Sequence, residues 1–182
     1  MSKKITFLGI ETSCDETAAA VIRENEKGTA DVLSNVVSSQ IEEHKEFGGV
    51  VPELAARAHL ENIEFIIDKA VKESKISLKE IDGIAATAGP GLVVCLTVGL
   101  NIGKSIAAFS NKPFVGVNHL EGHALSPGLE NKIKFPYLLL LISACTITRS
   151  PLSLRGVVSL DLAINWFTEG SITMSIPSVC GC

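Results

Sequence analysis

His119-Leu120-Glu121-Gly122-His123 places two imidazoles at i and i+4 on one face of a helix, close enough to share one divalent metal ion. A zinc-peptidase pattern needs the glutamate directly after the first histidine. Here the acid is Glu121, one position later and about 200° around the helix from His119, which disfavours a metallopeptidase. The same spacing also arises as two polar residues on a short surface helix, and no third ligand stands nearby in sequence. A second concentration of chemistry is Glu11-Thr12-Ser13-Cys14-Asp15-Glu16-Thr17, in which three acids and several hydroxyls share one turn. Such a turn can face phosphates through a magnesium ion or water, or it can simply be solvated. The acids oppose Cys14 as a nucleophile, because nearby negative charge raises a thiol pKa. Gly89-Pro90-Gly91 reads either as a sharp turn or as a cradle in which helix amides meet a phosphate or carboxylate. Gly99-Leu100-Asn101-Ile102-Gly103-Lys104-Ser105 imitates a phosphate-binding loop, but Val98 stands where its first glycine should be. Gly99 and Gly103 read instead as helix-packing glycines, and His44 and His59 as structural histidines.

The elements that must position these residues alternate in type. Ile5–Glu11 and Thr17–Arg23 read as strands of a hairpin around Thr12–Glu16, and Asp31–Ser38 as a third strand. Pro52 opens a long helix to about Lys75, with an apolar stripe of Ala56, Leu60, Ile63, Ile67, Ala70 and Val71. Ile81–Thr87 is a buried strand, and a second helix runs to about Ser110, where Asn111-Lys112-Pro113 stops it. Phe114–Val117 is a further strand, leading into the short helix of His119 and His123. The order β-β-β-α-β-α-β indicates an α/β protein. It suits the ribonuclease-H-like half of the actin, sugar-kinase and chaperone ATPase fold, a mixed sheet flanked by helices, with the second half largely missing. The expected division is residues 1–130 as a first domain carrying the helix of His119 and His123, 131–143 as the start of a second, and 144–182 as an aberrant, poorly ordered tail.

Composition sets the outer bounds. A chain of 182 residues with 46% hydrophobic content supports one good core. The net charge of −4 gives no general basic field, so nucleic-acid contact requires a local patch or a partner. Ile5–Ile10 is too short for a signal peptide and Tyr137–Ile142 too short to span a bilayer, so cytoplasmic residence without a membrane is the expectation. Cys14 and Cys95 read as reduced thiols, and Cys180-Gly181-Cys182 lacks zinc-ligand spacing.

In combination and order, residues 8–23 (LGIETSCDETAAAVIR), 44–60 (HKEFGGVVPELAARAHL), 82–105 (DGIAATAGPGLVVCLTVGLNIGKS) and 117–127 (VNHLEGHALSP) closely resemble the tRNA N6-adenosine threonylcarbamoyltransferase family, bacterial type. The resemblance runs from Lys4 to Ser143. It implies transfer of a threonylcarbamoyl group from threonylcarbamoyl-adenylate to N6 of the adenosine next to the anticodon, in tRNAs reading codons that begin with A. It also implies one divalent metal per subunit, iron(II) or else zinc, on His119 and His123. Leu141, Ile142 and Ser143 would begin the substrate-binding loop. Glu11, Asp15, Glu16, Gly89 and Gly91 would face the nucleotide. The implied partners are tRNA, a paralogous subunit and a small ATPase.

The pattern changes after Ser143. The family's strand continues into Ser-Gly-Gly-His-Thr, whereas here Ala144-Cys145-Thr146 follows. From Ala144 onward only Arg149, Arg155, Asp161 and Glu169 are charged, and three of the five cysteines and the one tryptophan fall there. A change of reading frame would explain such a loss of pattern within a strand; a functional alternative terminus is the other reading. The resulting expectation is a chain that is a transferase by lineage but inactive alone, with a non-enzymatic remnant that binds the paralogous subunit as the alternative.

Overall fold

The computed structural model describes residues 3–129. Residues 131–143 and 144–182, with Leu141, Ile142 and Ser143, lie outside the described residues. The sheet is built first from a meander: β1 (Thr6–Glu11), β2 (Glu16–Glu24) and β3 (Ala30–Ser39) pair antiparallel. β4 (Gly83–Gly89) then adds parallel to β1, and β5 (Phe114–Asn118) parallel to β4, giving the order β3-β2-β1-β4-β5. Helix α1 (Ile41–His44) runs into a 3-10 turn over Lys45–Phe47, and the longer helices are α2 (Pro52–Glu73) and α3 (Val93–Ser110). The short α4 (His119–Leu125) follows β5 directly.

Period-two alternation decides which side each strand residue serves. Leu8 and Ile10 of β1, Val21 of β2, and Ile84 and Ala86 of β4 are buried with Ile63, Ile66 and Ala70 of α2 and Val98 and Ala107 of α3 in one core. α2 packs on β2 and β3, and α3 on β4, so both helices cover the same face. The opposite face carries small residues, and an apolar cavity of about 280 Å³ lies there, lined by Gly9, Ala18, Ala20, Ala85, Glu11 and Thr87 among others. α3 is long and apolar enough to cross a bilayer, yet it buries Cys95, Leu96, Val98, Gly99, Gly103 and Ala107 inside the fold. Gly103 has the packing role expected, since a Cβ there would stand 2.9 Å from the Phe114 ring.

The strands and helices fall within a residue or two of their expected bounds, but the buried face of α2 differs. Ala55, His59, Ile63, Ile66 and Ala70 are buried, while Leu60 is 60% exposed. The fully buried His59 accounts for the shift. A polar residue that satisfies its hydrogen bonds internally takes a core position that an apolar stripe assigns to its neighbour. Gly48, with a φ of 67°, closes the 3-10 turn in the left-handed region.

Candidate functional site

The site begins at the end of β5, where the chain turns straight into α4. Asn118 caps the helix, its side-chain oxygen accepting from the amides of Leu120 (3.0 Å) and Glu121 (3.1 Å). One turn of helix then brings His119 and His123 together, with ring centroids 4.4 Å apart and planes at 87°. Their Nε2 atoms face each other at 3.0 Å. Two nitrogens each about 2.1 Å from one ion stand roughly 3.0–3.4 Å apart for ordinary coordination angles, so this separation suits a shared ion. Glu121 is exposed, which agrees with the case against a peptidase.

The other nitrogen of His119 is held from the far end of the chain. Its Nδ1 lies 3.5 Å from Glu11 Oε2 and 3.4 Å from Ser13 Oγ. The Glu11 carboxylate also accepts from the Ser13 amide and from the Thr87 hydroxyl. Burial would push the Glu11 carboxyl up. The hydrogen bond and charge of His119, together with Ser13 and Thr87, outweigh burial and hold it below the usual carboxylate range. When the imidazole is neutral, an ionised carboxylate beside Nδ1 keeps the proton there and leaves the Nε2 lone pair on the His123 side. Histidines that ligate metals characteristically carry such an outer carboxylate. Among the described residues, no group of three or more His, Cys, Asp or Glu side chains is arranged to hold an ion. The pair therefore fits two positions of a metal centre and does not complete one.

The Thr12–Glu16 turn is fastened to its surroundings residue by residue. Thr12 Oγ1 donates to the Cys95 carbonyl (2.9 Å) and accepts from the Gly99 amide (3.1 Å) of α3. The Ser13 carbonyl accepts from Leu92 N–H at 2.8 Å. A Cβ on Gly91 would stand 2.8 Å from that same carbonyl oxygen, so glycine is needed for the loop to approach the turn. Gly89 adopts a φ of 139°, open to glycine and rare for other residues. The Gly89–Gly91 loop thus buttresses Ser13, and at least its Leu92 amide is committed within the protein.

Of the residues expected to form the site, the fold brings Glu11, His119 and His123 into one cluster and sets Gly91 against its supporting turn. Asp15 and Glu16 are half-buried in that turn, and the Asp15 carbonyl accepts from Gln40 N–H at 2.9 Å. Ser13 and Thr87 were not singled out in the sequence. The parallel β1–β4 register, with Ile10 opposite Ala86, is the signal that sets Thr87 beside Glu11.

Known proteins bear on this arrangement. Residues 31–146 match the family model described as tRNA N6-adenosine threonylcarbamoyltransferase. A protein of that name from Pelagibacter ubique is 62% identical over 143 residues, which is 79% of this chain and 40% of the relative. Another from Chelativorans sp. is 60% identical over 136 residues, 75% of this chain and 38% of its own length. The chain thus spans about 40% of the length of the curated relatives it matches. Among solved structures, YeaZ from Pseudomonas aeruginosa aligns with a TM-score of 0.50 at 18% identity, covering 70% of this chain and 49% of that one, a likeness of fold. With more than half of its length matching the family model, this chain belongs to the tRNA N6-adenosine threonylcarbamoyltransferase family.

Proposed function

We propose that the chain carries the metal-bearing half of a site that transfers a threonylcarbamoyl group from threonylcarbamoyl-adenylate to N6 of the adenosine next to the anticodon. The observation that carries this reading is the 3.0 Å approach of His119 Nε2 and His123 Nε2, with Glu11 and Ser13 on the far nitrogen of His119. His119 and His123 would hold one divalent ion, iron(II) or zinc. Such an ion supplies Lewis-acid polarisation of a carbonyl.

The chain's own residues act around that centre. Glu11 holds the Nδ1 proton of His119 and so fixes its tautomer. Asp15 and Glu16, with the Gly89–Gly91 loop, border the side from which an adenylate would enter. An exocyclic adenosine amine is a weak nucleophile, so positioning contributes more than base catalysis. With a net charge of −4, tRNA is held through a local patch or through partner proteins, here a paralogous subunit and a small ATPase in the cytoplasm.

On the same reading, the 182-residue chain has no transfer activity by itself. Its two imidazoles do not complete a metal centre, and Ser143 leads into Ala144-Cys145-Thr146 where the family has a glycine pair. The alternative reading is a non-enzymatic role in binding the paralogous subunit, for which Leu60 and Phe65 of α2, 60% and 63% accessible, are the exposed residues to test. Co-purification with that subunit tests this role, and its loss in a Leu60→Glu, Phe65→Glu variant is the expected control. The metal reading is tested by cobalt(II) titration of the full chain, followed by visible absorbance. One site is expected in the wild type and none in His119→Ala or His123→Ala. Uptake indifferent to both substitutions, or no uptake, overturns it.

A further inference from the structure

Behind the Thr12–Glu16 turn lies a buried chain of polar groups that the proposed chemistry does not use: His44, Gln40, His59 and Thr17, all almost completely enclosed. Its hydrogen-bond directions can be worked out from both ends. At one end Val51 N–H, which can only donate, meets His44 Nδ1 at 3.4 Å. The His44 proton therefore sits on Nε2, which donates to Gln40 Oε1 at 3.2 Å. This orients the Gln40 amide so that its Nε2 donates to His59 Nδ1 at 3.1 Å. The Thr17 hydroxyl donates to the same Nδ1 at 2.7 Å. At the other end the Cys14 carbonyl, which can only accept, lies 3.0 Å from His59 Nε2. Both ends require the same tautomer of His59, with its proton on Nε2.

We propose that His59 is a positioning residue for the His119–His123 pair, acting through the backbone of the turn. His59 fixes the Cys14 carbonyl, and the backbone N–H of Gln40 fixes the next one, donating to the Asp15 carbonyl at 2.9 Å. The residue preceding Cys14 is Ser13, whose hydroxyl and amide meet His119 and Glu11 respectively. The Cys14 and Asp15 carbonyl contacts thus anchor the second half of the turn, as Thr12 and the Ser13 carbonyl anchor the first. The neutral form needed here matches the surroundings. Burial lowers the His59 pKa, against the Cys14 carbonyl and the charges of Glu11 and Asp15, which raise it. This inference rests on the metal reading of the histidine pair, and the experiment separates the two.

The experiment uses the full 182-residue chain. Long-range 1H–15N imidazole spectra of the wild type should show both His59 and His44 protonated on Nε2. His59 protonated on Nδ1 overturns the proposal. Cobalt(II) affinity is then compared for wild type, His59→Gln and Gln40→Met, with Ile63→Val as a core variant away from the turn. Loss of a group bonded directly to a metal ligand typically weakens binding by about 10–100-fold; about 10-fold is expected for His59→Gln, and less for Gln40→Met, which keeps the backbone bond to Asp15. Ile63→Val should leave affinity unchanged, which separates positioning from general loss of stability. If the wild type binds cobalt and the turn variants bind it equally tightly, His59 positions nothing. If the wild type takes up none, the histidine-pair reading fails first and this inference with it. Should His59→Gln not fold, the His59 tautomer read from the wild-type imidazole spectra decides.

Discussion

Replacing Gly99 with alanine tests whether α3 and the Thr12–Glu16 turn are as closely joined as the site requires. An added Cβ would stand 2.5 Å from Thr12 Oγ1 and 3.4 Å from Thr12 Cγ2. Thr12 cannot swing away cheaply, because it is 2% exposed and its hydroxyl bonds both the Cys95 carbonyl and the Gly99 amide. Overpacking of this kind costs about 1–3 kcal/mol, and leaving a buried hydroxyl unpaired costs about 1–3 kcal/mol more. The better helix propensity of alanine returns only about 1 kcal/mol. A net loss of about 1–5 kcal/mol follows, which for a chain of this size lowers Tm by about 2–20 °C. Thermal unfolding followed by circular dichroism measures it. Thr12→Ala removes the atoms that crowd the new Cβ, so the double variant should lose less than the sum of the two single losses. A Gly99→Ala protein as stable as the wild type would refute the reasoning, as would strictly additive effects.

Two further outcomes follow from buried titratable groups. Burial, with the Asp15 charge, pushes the Cys95 thiol up to about 11, so at pH 8 only about one molecule in a thousand carries the reactive thiolate there. Iodoacetamide labelling with peptide mass spectrometry should leave Cys95 unmodified until denaturant is added, and equal labelling rates with and without denaturant would contradict this. The folded protein lowers the His59 pKa below its ordinary value of 6.5, so the unfolded chain binds the extra proton first as pH falls. The stability contributed by neutral His59 is therefore full above pH 6.5 and declines below it, by at most about 1.4 kcal/mol per pH unit, until the folded pKa is reached. Urea unfolding across pH 7 to 5 should show this decline in the wild type and a flatter profile in His59→Gln.

Much of the fold was legible in the sequence because local pattern and tertiary demand agree there. The alternation in β1 and β4 gives strands, Pro52 opens α2, Asn111 takes the left-handed position that ends α3, and the two histidines fall one turn apart on α4. The reading of Gly99 and Gly103 as packing glycines held because a failed phosphate-loop spacing inside a helix leaves close approach as their use. Legibility ended where the interaction was long-range. His59 could not be ranked above Leu60 as a core residue, because its partners Cys14, Thr17 and Gln40 lie 45, 42 and 19 positions away. The acidic turn drew attention to Glu11, but its contact with His119 depends on a strand order that brings the ends of β1 and β5 to one side. Gly91 read either as part of a sharp turn or as part of a ligand cradle, and its close approach to the Ser13 backbone is a contact that spacing alone does not carry.

The proposed function makes residues 1–143 the half of a threonylcarbamoyl transfer site that carries His119 and His123. The most direct measurement grafts these residues onto the Pelagibacter ubique relative in place of its own matching 143 residues. Transfer of threonylcarbamoyl to tRNA by the graft is then assayed with the adenylate donor. The graft should modify N6 of adenosine, and His119→Ala or His123→Ala within it should abolish the modification. A folded graft that transfers nothing, or one that transfers equally well without both histidines, would contradict the account.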